Sequence, residues 1–216
     1  MVCKNVIIIG ASALAREVAE YIPDALPGVN IKGFLDSRKN ILDGFNGLPP
    51  IIGDVETYEI QPDDVFICAL GEPEMRKKYV DMISARGGDF VSVVHPSAYI
   101  APSAIIGTGS IIAPNASVAS NTTIGEHVYL GLNTAVCHDC NVNDFASISP
   151  GATVPGWCHI GERCFLGVNC ALVPHTVLGD VSPVYVAAGA VVTKSFSSVS
   201  SIDSISNNSA GASSIK

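Results

Sequence analysis

The sequence predicts two structural units, a small parallel α/β domain followed by an all-β parallel helix. Strand and helix signals alternate over the first ninety residues, and beyond them an aliphatic residue recurs at every sixth position. A period of 2.0 or 3.6 does not give this spacing, whereas a triangular coil with one hexapeptide on each side does. We therefore expect the α/β domain in residues 1–91, the β-helix in residues 92–194 and a disordered Ser-rich tail in residues 195–216.

The N-terminal region opens with an apolar strand signal, NVIIIGAS, and continues with helical spacing in ALAREVAEYI. A second strand is predicted in VNIKGFLD, a third in DDVFICALG and a fourth in DFVSVV, and the stretch GLPPIIGDVETYEI carries turn signals. The segment PEMRKKYVDMISARGG has Pro near its start and Gly-Gly at its end, which suits a helix. This alternation predicts a small Rossmann-like sheet.

Ligands bind sheets of this kind at the carboxyl ends of the strands. The residues expected there are Gly10, Ser12, Asp36, Ser37 and Gly71, with Glu72 directly after Gly71 at the same strand end. A carboxylate at Asp36 can accept a hydrogen bond from a ribose hydroxyl or a base N–H, and the alternative is an N-cap or turn residue. The stretch GASALA keeps only one glycine of the G-x-G-x-x-G fingerprint, so an NAD site is not favoured. The alternatives for the basic cluster at residues 76–78 are a position near a phosphate and solvated helix surface, and we expect the latter.

The β-helix prediction depends on fifteen aliphatic residues in an unbroken six-residue series. They are Ile100, Ile106, Ile112, Val118, Ile124, Leu130, Val136, Val142, Ile148, Val154, Ile160, Leu166, Leu172, Leu178 and Val184. Each is expected to point into a triangular prism, and the small residue two positions before it fits where the chain turns. Glycine follows six of them, which tight corners would favour. Three hexapeptides make an 18-residue coil, so residues 98–187 predict about five coils.

Composition restricts the partners of the chain. The net charge of -8 and the pI near 4.9 argue against a general nucleic-acid surface. The sequence has no apolar stretch of membrane-spanning length, and its start lacks the layout of a signal peptide. We therefore expect a cytoplasmic protein with no membrane partner.

Seven cysteines admit packing, metal or disulfide roles. Cys140, Cys158, Cys164 and Cys170 occupy the small-residue position of their hexapeptides, where cysteine acts as a small apolar side chain. We therefore expect reduced packing thiols, with Cys140 and Cys158 one above the other in adjacent coils. A metal site or redox pair at Cys137 and Cys140 stays as the alternative.

Residues 5–194 resemble the sialic acid O-acetyltransferase and nucleotide-sugar N-acetyltransferase family of left-handed β-helix enzymes. The segments that carry the resemblance are CALGEPEMRKKY, VVHPSAYIAPSAIIGTGSIIAPNA, HDCNVNDFASISPGATVPG and CFLGVNCALVPHTVLG. The resemblance implies a left-handed coil and a homotrimer, with acetyl-CoA in the cleft between neighbouring prisms. It also implies a sugar nucleotide held partly by the N-terminal domain, and no metal.

Acetyl transfer from a thioester needs a base near neutral pKa, and histidine is the natural choice. His138 follows Val136 by two residues and should face out of the prism, and Gly156 one coil above should leave space beside it. The H-D-C pattern matches the family, so the resemblance implies that His138 is the general base and that Asp139 orients it. Adjacent residues of an extended strand point to opposite sides, so this pairing requires a corner.

The resemblance also implies a set of cofactor contacts. They are Ser147, Gly156, Val168, Pro174, the 186–189 loop with Ala187 and Ala188, and Lys194. Gly156 would offer its N–H to the thioester oxygen, and Ser147 stands where the family often has a second histidine. Lys194 would meet a phosphate of the cofactor.

Two departures keep other functions open. The loop after the first strand reads Ala13-Leu14-Ala15 where the family usually has a Gly-His pair, and the C-terminal segment differs too. A catalytically altered trimeric scaffold or ligand-binding protein is therefore the alternative to a sugar acetyltransferase. The choice between N- and O-acetylation stays open, although the α/β domain favours a nucleotide-linked amino sugar. A zinc-dependent carbonic anhydrase of the same fold is not favoured, because no two histidines are close in sequence.

Overall fold

A computed structural model describes residues 5–179, 185–193 and 195. It consists of a five-stranded α/β domain followed by a parallel β-solenoid. The predictions for Val184, Lys194 and the tail beyond residue 195 lie outside the described residues.

The α/β domain contains a parallel sheet and two helices. Its elements are β1 (Asn5–Ile9), α1 (Ala13–Ala25), β2 (Asn30–Leu35), β3 (Ile51–Gly53), β4 (Asp64–Cys68), α2 (Pro73–Ser84) and β5 (Asp89–Phe90). The sheet order is β3-β2-β1-β4-β5. The central strands β1 and β4 are covered on both faces, which explains why their sequences are continuous apolar runs rather than alternating ones.

Two predictions about this sheet need correction. Ile51–Gly53 forms a short edge strand beside β2 within the stretch interpreted as turns, where Pro49 and Pro50 mask the strand signal. DFVSVV is not one strand but two, because Asp89–Phe90 pairs with β4 and Val93–Val94 pairs with the solenoid strand at 111–112. The chain therefore passes from one sheet to the other within six residues.

The solenoid has three faces, named A, B and C here by their strands. Face A consists of Tyr99–Ile100, Ser117–Val118, Ala135–Val136, Thr153–Val154, Ala171–Leu172 and Val191–Val192. Face B consists of Ile105–Ile106, Thr123–Ile124, Asn141–Val142, His159–Ile160 and Val177–Leu178. Face C consists of Val93–Val94, Ile111–Ile112, Tyr129–Leu130, Ser147–Ile148, Phe165–Leu166 and Tyr185–Val186. The second residue of nearly every strand belongs to one internal aliphatic core, as the six-residue series predicts.

The solenoid is slightly longer than the predicted five coils, and its register shifts near the end. It begins at Val93 rather than at residue 98, and its described strands number six, five and six on the three faces. After Leu178 the next inward position is Val186, so two residues are added to that hexapeptide. Val186 is therefore part of the internal core and not a wall of a cofactor channel, whereas Ala187 and Ala188 are exposed.

The corners use glycine differently from the prediction. The corner residue with positive φ lies three positions after the inward aliphatic residue. From Gly109 to His175 there are twelve such corners, and nine of them carry glycine, asparagine, aspartate or histidine. The glycines directly after the aliphatic residue, apart from Gly179, do not have positive φ. They are needed because stacked corners come close together. A Cβ at Gly131 would lie 2.6 Å from the nitrogen and 2.7 Å from the Cδ of Pro150.

Replacing Gly131 with alanine is expected to lower the free energy of unfolding by about 1–3 kcal/mol, since the added methyl group meets a rigid neighbour. Urea denaturation of the two proteins measures the difference. Gly71→Ala is the matched control, because a Cβ there meets nothing within 4 Å. Equal losses in the two variants would mean that corner packing is not the cause.

The α/β domain packs against face C through Arg76, which corrects the expectation that this residue is solvated. Arg76 is 1% exposed, and its guanidinium donates to the carbonyl oxygens of His127 (2.8 Å), Phe145 (2.6 Å) and Ala146 (3.0 Å) and to Ser147 Oγ (2.9 Å). A basic triplet on a helix gives no sign of which member is buried. Here one guanidinium satisfies three carbonyl groups and one hydroxyl that face the domain junction.

His127 is buried in the same junction. Its ring stacks on Phe145, with 5.2 Å between the ring centroids, and meets the ring of Phe90 edge to face. Burial and then the nearby positive charge of Arg76 lower the pKa of His127 to about 4. The imidazole is therefore neutral at physiological pH.

We expect the stability to fall between pH 6.5 and pH 4 because of His127. In this window the unfolded chain binds a proton at pKa about 6.5 while the folded chain does not, so the free energy of unfolding decreases as the pH falls. The expected loss is on the order of 2 kcal/mol between pH 7 and pH 4.5. Urea denaturation at both pH values should show a smaller loss in His127→Asn, where asparagine also tolerates the positive φ of this position. An equal loss in the variant would exclude His127 as the source.

Candidate active site

The α/β domain contains a cavity of about 450 Å³ at the carboxyl ends of its strands. All five residues predicted for the substrate line it, namely Gly10, Ser12, Asp36, Ser37 and Gly71. Glu72, expected at the same strand end as Gly71, also lines the cavity, and the side chains of Arg38, Asp54 and Tyr79, which sequence reasoning missed, complete the polar part of the lining. The loops that follow the strands therefore meet at one cavity, as the predicted parallel sheet requires.

Asp36 organises one wall of this cavity. Its carboxylate accepts hydrogen bonds from the backbone N–H of Ala11 (3.0 Å) and from the guanidinium of Arg38 (2.9 and 2.8 Å). Burial raises the pKa of Asp36, but the hydrogen bonds and charge of Arg38 outweigh burial and hold the pKa below its ordinary value. Asp36 therefore fixes the loop after β1 and the orientation of Arg38, which lines the cavity with its side chain 60% exposed.

The loop that departs from the family pattern has an apolar role. Leu14 packs against the apolar side chains between α1 and the sheet, so it does not offer a polar group to the cavity. The side chain of Ser12 precedes α1 and makes no capping hydrogen bond with the helix. The residue before α1 therefore places its hydroxyl at the cavity wall without using it to cap the helix.

His138 and Asp139 lie on the A–B edge, the line of corners where the chain passes from face A to face B. Their side chains are joined by a 2.8 Å contact between His138 Nδ1 and Asp139 Oδ2. The pairing of adjacent residues is possible because Asp139 is the corner residue, with φ of 56°. Asn121, one coil below, donates its side-chain N–H to the other carboxylate oxygen at 3.2 Å. The hydrogen bond from His138 and then that from Asn121 lower the pKa of Asp139.

Gly156 lies directly beside the imidazole of His138. A Cβ built at Gly156 would come within 2.6 Å of His138 Cε1 and 2.9 Å of its Nε2. The space that the sequence predicted beside His138 is thus taken by the ring of His138 itself. Any side chain at residue 156 would displace the imidazole.

Two aromatic rings continue the A–B edge above His138, and sequence reasoning did not connect them with the site. Trp157 meets the ring of His138 at right angles, with 4.6 Å between centroids, and stacks on His175 with 5.0 Å between centroids. All three rings occupy the same edge in three successive coils because their residues are 18 or 19 apart. Only this spacing could have revealed them in the sequence.

The predicted cofactor residues do not all lie on this edge. Pro174 is exposed on it, beside His175, whereas Val168 is 46% exposed on the edge between faces C and A. Ser147 is fully buried on face C, where it accepts a hydrogen bond from Arg76 and donates one to Gly71 O (2.7 Å). Ser147 therefore belongs to the domain junction and is not accessible to a cofactor.

Most cysteines of the described residues are buried. The six cysteines there form no disulfide with one another, and Cys140 and Cys158 are both buried in the solenoid core, in adjacent coils. Within the same residues, no group of histidine, cysteine and acidic side chains is arranged to hold a metal ion. Neither described helix has the length and apolar character needed to cross a membrane.

The cavity and His138 lie on opposite sides of the solenoid. The cavity-lining loop after β4 is attached to face C, where Ser147 donates to Gly71 O and the hydroxyl of Tyr185 lies 3.0 Å from a carboxylate oxygen of Glu72. His138 lies on the A–B edge, which in a triangular prism is the edge opposite face C. One chain therefore does not bring the two together.

Comparison with known proteins identifies relatives of both units. Residues 5–83 match the family model of the PglD N-terminal domain. The UDP-N-acetylbacillosamine N-acetyltransferase of Bacillus subtilis (strain 168) is 28% identical over 102 residues, which cover 45% of this chain and 46% of that protein. The match thus spans about half the length of the curated relative.

Solved structures match over nearly the whole chain. The acetyltransferase domain of PglB from Neisseria gonorrhoeae FA1090 is 30% identical with a TM-score of 0.81, covering 89% of this chain and 93% of that one, and it has also been solved with acetyl coenzyme A. PerB from Caulobacter crescentus, in complex with CoA and GDP-perosamine, is 26% identical with a TM-score of 0.79, covering 89% and 90% of the two chains. The left-handed parallel β-helix expected from the sequence is the fold of these relatives.

Proposed function

The chain belongs to the hexapeptide β-helix family of sugar acetyltransferases, and on that premise we propose that it transfers the acetyl group of acetyl-CoA to the amine of a nucleotide-linked sugar. The observation that carries the proposal is the His138–Asp139 pair at 2.8 Å, on an exposed edge of the solenoid. The relatives solved with acetyl coenzyme A and with GDP-perosamine support the two co-substrates. Acetyl-CoA acts as a co-substrate, and the reaction needs no metal.

His138 is the general base of the proposed reaction. When Nδ1–H donates a hydrogen bond to the Asp139 carboxylate, Nε2 keeps a lone pair that accepts a proton from the attacking amine. The amine nitrogen then bonds to the thioester carbonyl carbon and the carbon–sulfur bond breaks. The departing thiolate takes from the imidazolium the proton that the amine gave up. The products are the N-acetylated sugar and free CoA. Asp139 stabilises the imidazolium formed during this step.

Gly156 has two parts in the proposal. Its missing side chain lets the imidazole of His138 lie against the next coil. Its backbone N–H, which has no acceptor among the described residues, donates to the oxyanion of the tetrahedral intermediate. Pro174 above His138 and the exposed loop with Ala187 and Ala188 are the proposed contacts of the pantetheine arm, and Val168 would contribute from a neighbouring chain. Lys194 stays a proposed phosphate contact.

The nucleotide occupies the cavity of the α/β domain in this proposal. Its volume of about 450 Å³ is in the range of small-molecule sites. Arg38 is the cation among the described lining residues, and Asp36 holds it in place, so Arg38 would meet the diphosphate. Gly10, Ser12, Ser37 and Gly71 surround the ligand with backbone groups and hydroxyls that accept or donate hydrogen bonds.

We further propose a homotrimer in which neighbouring chains share each active site. The cavity and His138 lie on opposite sides of one solenoid, so an acceptor held in the cavity needs the A–B edge of another copy. Closed rotational symmetry gives every copy the same arrangement. The proposed enzyme acts on small molecules in the cytoplasm, with neither nucleic acid nor membrane as a partner.

Release of free thiol from acetyl-CoA tests the function directly. The purified protein is incubated with acetyl-CoA and a panel of UDP-, GDP- and dTDP-linked amino sugars. Turnover with one member establishes the N-acetyltransferase and identifies its acceptor. Acetyl-CoA binding without turnover on the panel would exclude these acceptors and point to hydroxyl transfer. Failure to bind acetyl-CoA would overturn the proposal and leave a trimeric scaffold.

A further inference from the structure

Trp157 stands on the A–B edge between two imidazoles. Its ring meets His138 at right angles, with 4.6 Å between centroids, and lies nearly parallel to His175, with an interplanar angle of 6°. Trp157 follows Gly156, whose backbone lies against the imidazole of His138. The indole is therefore in direct contact with the proposed base, one coil further along the solenoid axis.

The contacts with two imidazoles of the same chain leave a large part of Trp157 exposed. Trp157 has φ of 57°, a conformation that bulky side chains rarely adopt, and four corresponding corners carry asparagine: Asn115, Asn121, Asn133 and Asn169. The side chain is 54% exposed, so much of its apolar surface is in contact with water. An exposed aromatic side chain in contact with the proposed base is suited to binding a ligand.

We infer that Trp157 is a specificity-determining residue, which packs against the ring of the acceptor sugar while the sugar amine reaches His138. This inference rests on the proposed function. A sugar ring has a face rich in C–H groups that packs well on an indole, and the indole N–H can donate to a sugar hydroxyl. The acceptor would therefore present the C–H face of its sugar ring to Trp157 while its amine points to His138.

Steady-state kinetics of Trp157→Asn test this role. Asparagine suits the positive φ of the corner, as it does at four other corners, so the backbone should be preserved. With the panel member that turns over, kcat/KM for the acceptor should fall about 10- to 100-fold, while the KM for acetyl-CoA changes by less than about twofold. Trp157→Phe, which keeps an aromatic face, should recover most of the loss. Phe45→Asn removes an aromatic side chain of similar exposure (50%) from the α/β domain and should have no effect.

Fluorescence adds a direct reading, since Trp157 is the single tryptophan of the chain. Its emission should shift when the nucleotide-linked amino sugar is added and stay unchanged with the corresponding nucleoside diphosphate alone. Unchanged kinetics in Trp157→Asn would overturn the inference and leave the proposed function intact. A rise in the KM for acetyl-CoA, or a smaller assembly in sedimentation, would overturn it in favour of a cofactor or subunit contact. Absence of turnover in the unaltered protein would overturn the proposed function and this inference with it.

Discussion

His138→Ala is expected to lower kcat about 100- to 10,000-fold, the contribution usual for a positioned general base. The KM for acetyl-CoA should change little, because the imidazole acts on the proton of the amine and not on the body of the cofactor. Thiol release at saturating acetyl-CoA and acceptor measures the loss. His159→Ala is the matched control, since His159 lies on face B in the next coil and has no part in the proposed chemistry. A loss of similar size in both variants would contradict a specific role for His138.

Asp139→Asn separates the carboxylate from simple loss of the imidazole. An amide at residue 139 would donate to Nδ1 of His138, so Nε2 would carry the proton and could no longer accept one. We therefore expect kcat to fall almost as far as in His138→Ala, although the His138 side chain is still present. Asp139→Glu keeps the negative charge and should retain more activity. Unchanged kcat in Asp139→Asn would show that Asp139 only supports the corner, where its φ is 56°.

The repeating part of the fold could be predicted residue by residue because every coil applies the same constraint. An inward aliphatic side chain and a small neighbour recur from Ile100 to Leu178, and the core contains these positions. The series failed at Val186, where two extra residues shift the register and the hexapeptide rule no longer applies. The glycines directly after the aliphatic residues were predicted to serve the turn at each corner, but most of them are needed because adjacent coils come close together. The distance between coils cannot be read from a single hexapeptide.

The candidate site was predictable where it depended on strand ends and less so where it depended on contacts between units. Strand topology alone places Gly10, Asp36 and Gly71 around one cavity. The burial of Arg76 and Ser147 arises from the junction of two domains, which neither local sequence indicates. Trp157 was missed because it touches His138 only across successive coils.

A mixture of two inactive variants should recover activity if neighbouring chains share each site. Gly71→Phe is designed to fill the nucleotide cavity, because residue 71 lines it, a Cβ there meets nothing within 4 Å and φ is not positive. This variant keeps His138, whereas His138→Ala keeps the cavity. Each protein alone is expected to be inactive with the nucleotide sugar.

Co-expression of the two variants in equal amounts produces mixed trimers. An active site then needs a cavity from a His138→Ala chain and a base from a neighbouring Gly71→Phe chain, which random assembly with threefold symmetry provides at about a quarter of the sites. We therefore expect about a quarter of the activity of the unaltered protein. If cavity and base acted within one chain, every chain would carry one lesion and no mixture would be active. A mixture of Gly71→Ala and His138→Ala chains controls for the loss of glycine at residue 71. Its activity should be at least as high as that of the mixture of Gly71→Phe and His138→Ala chains. A protein that carries both substitutions in every chain should be inactive. Activity in the mixture, together with none in this double variant, would show that each active site takes its cavity from one chain and His138 from a neighbouring chain.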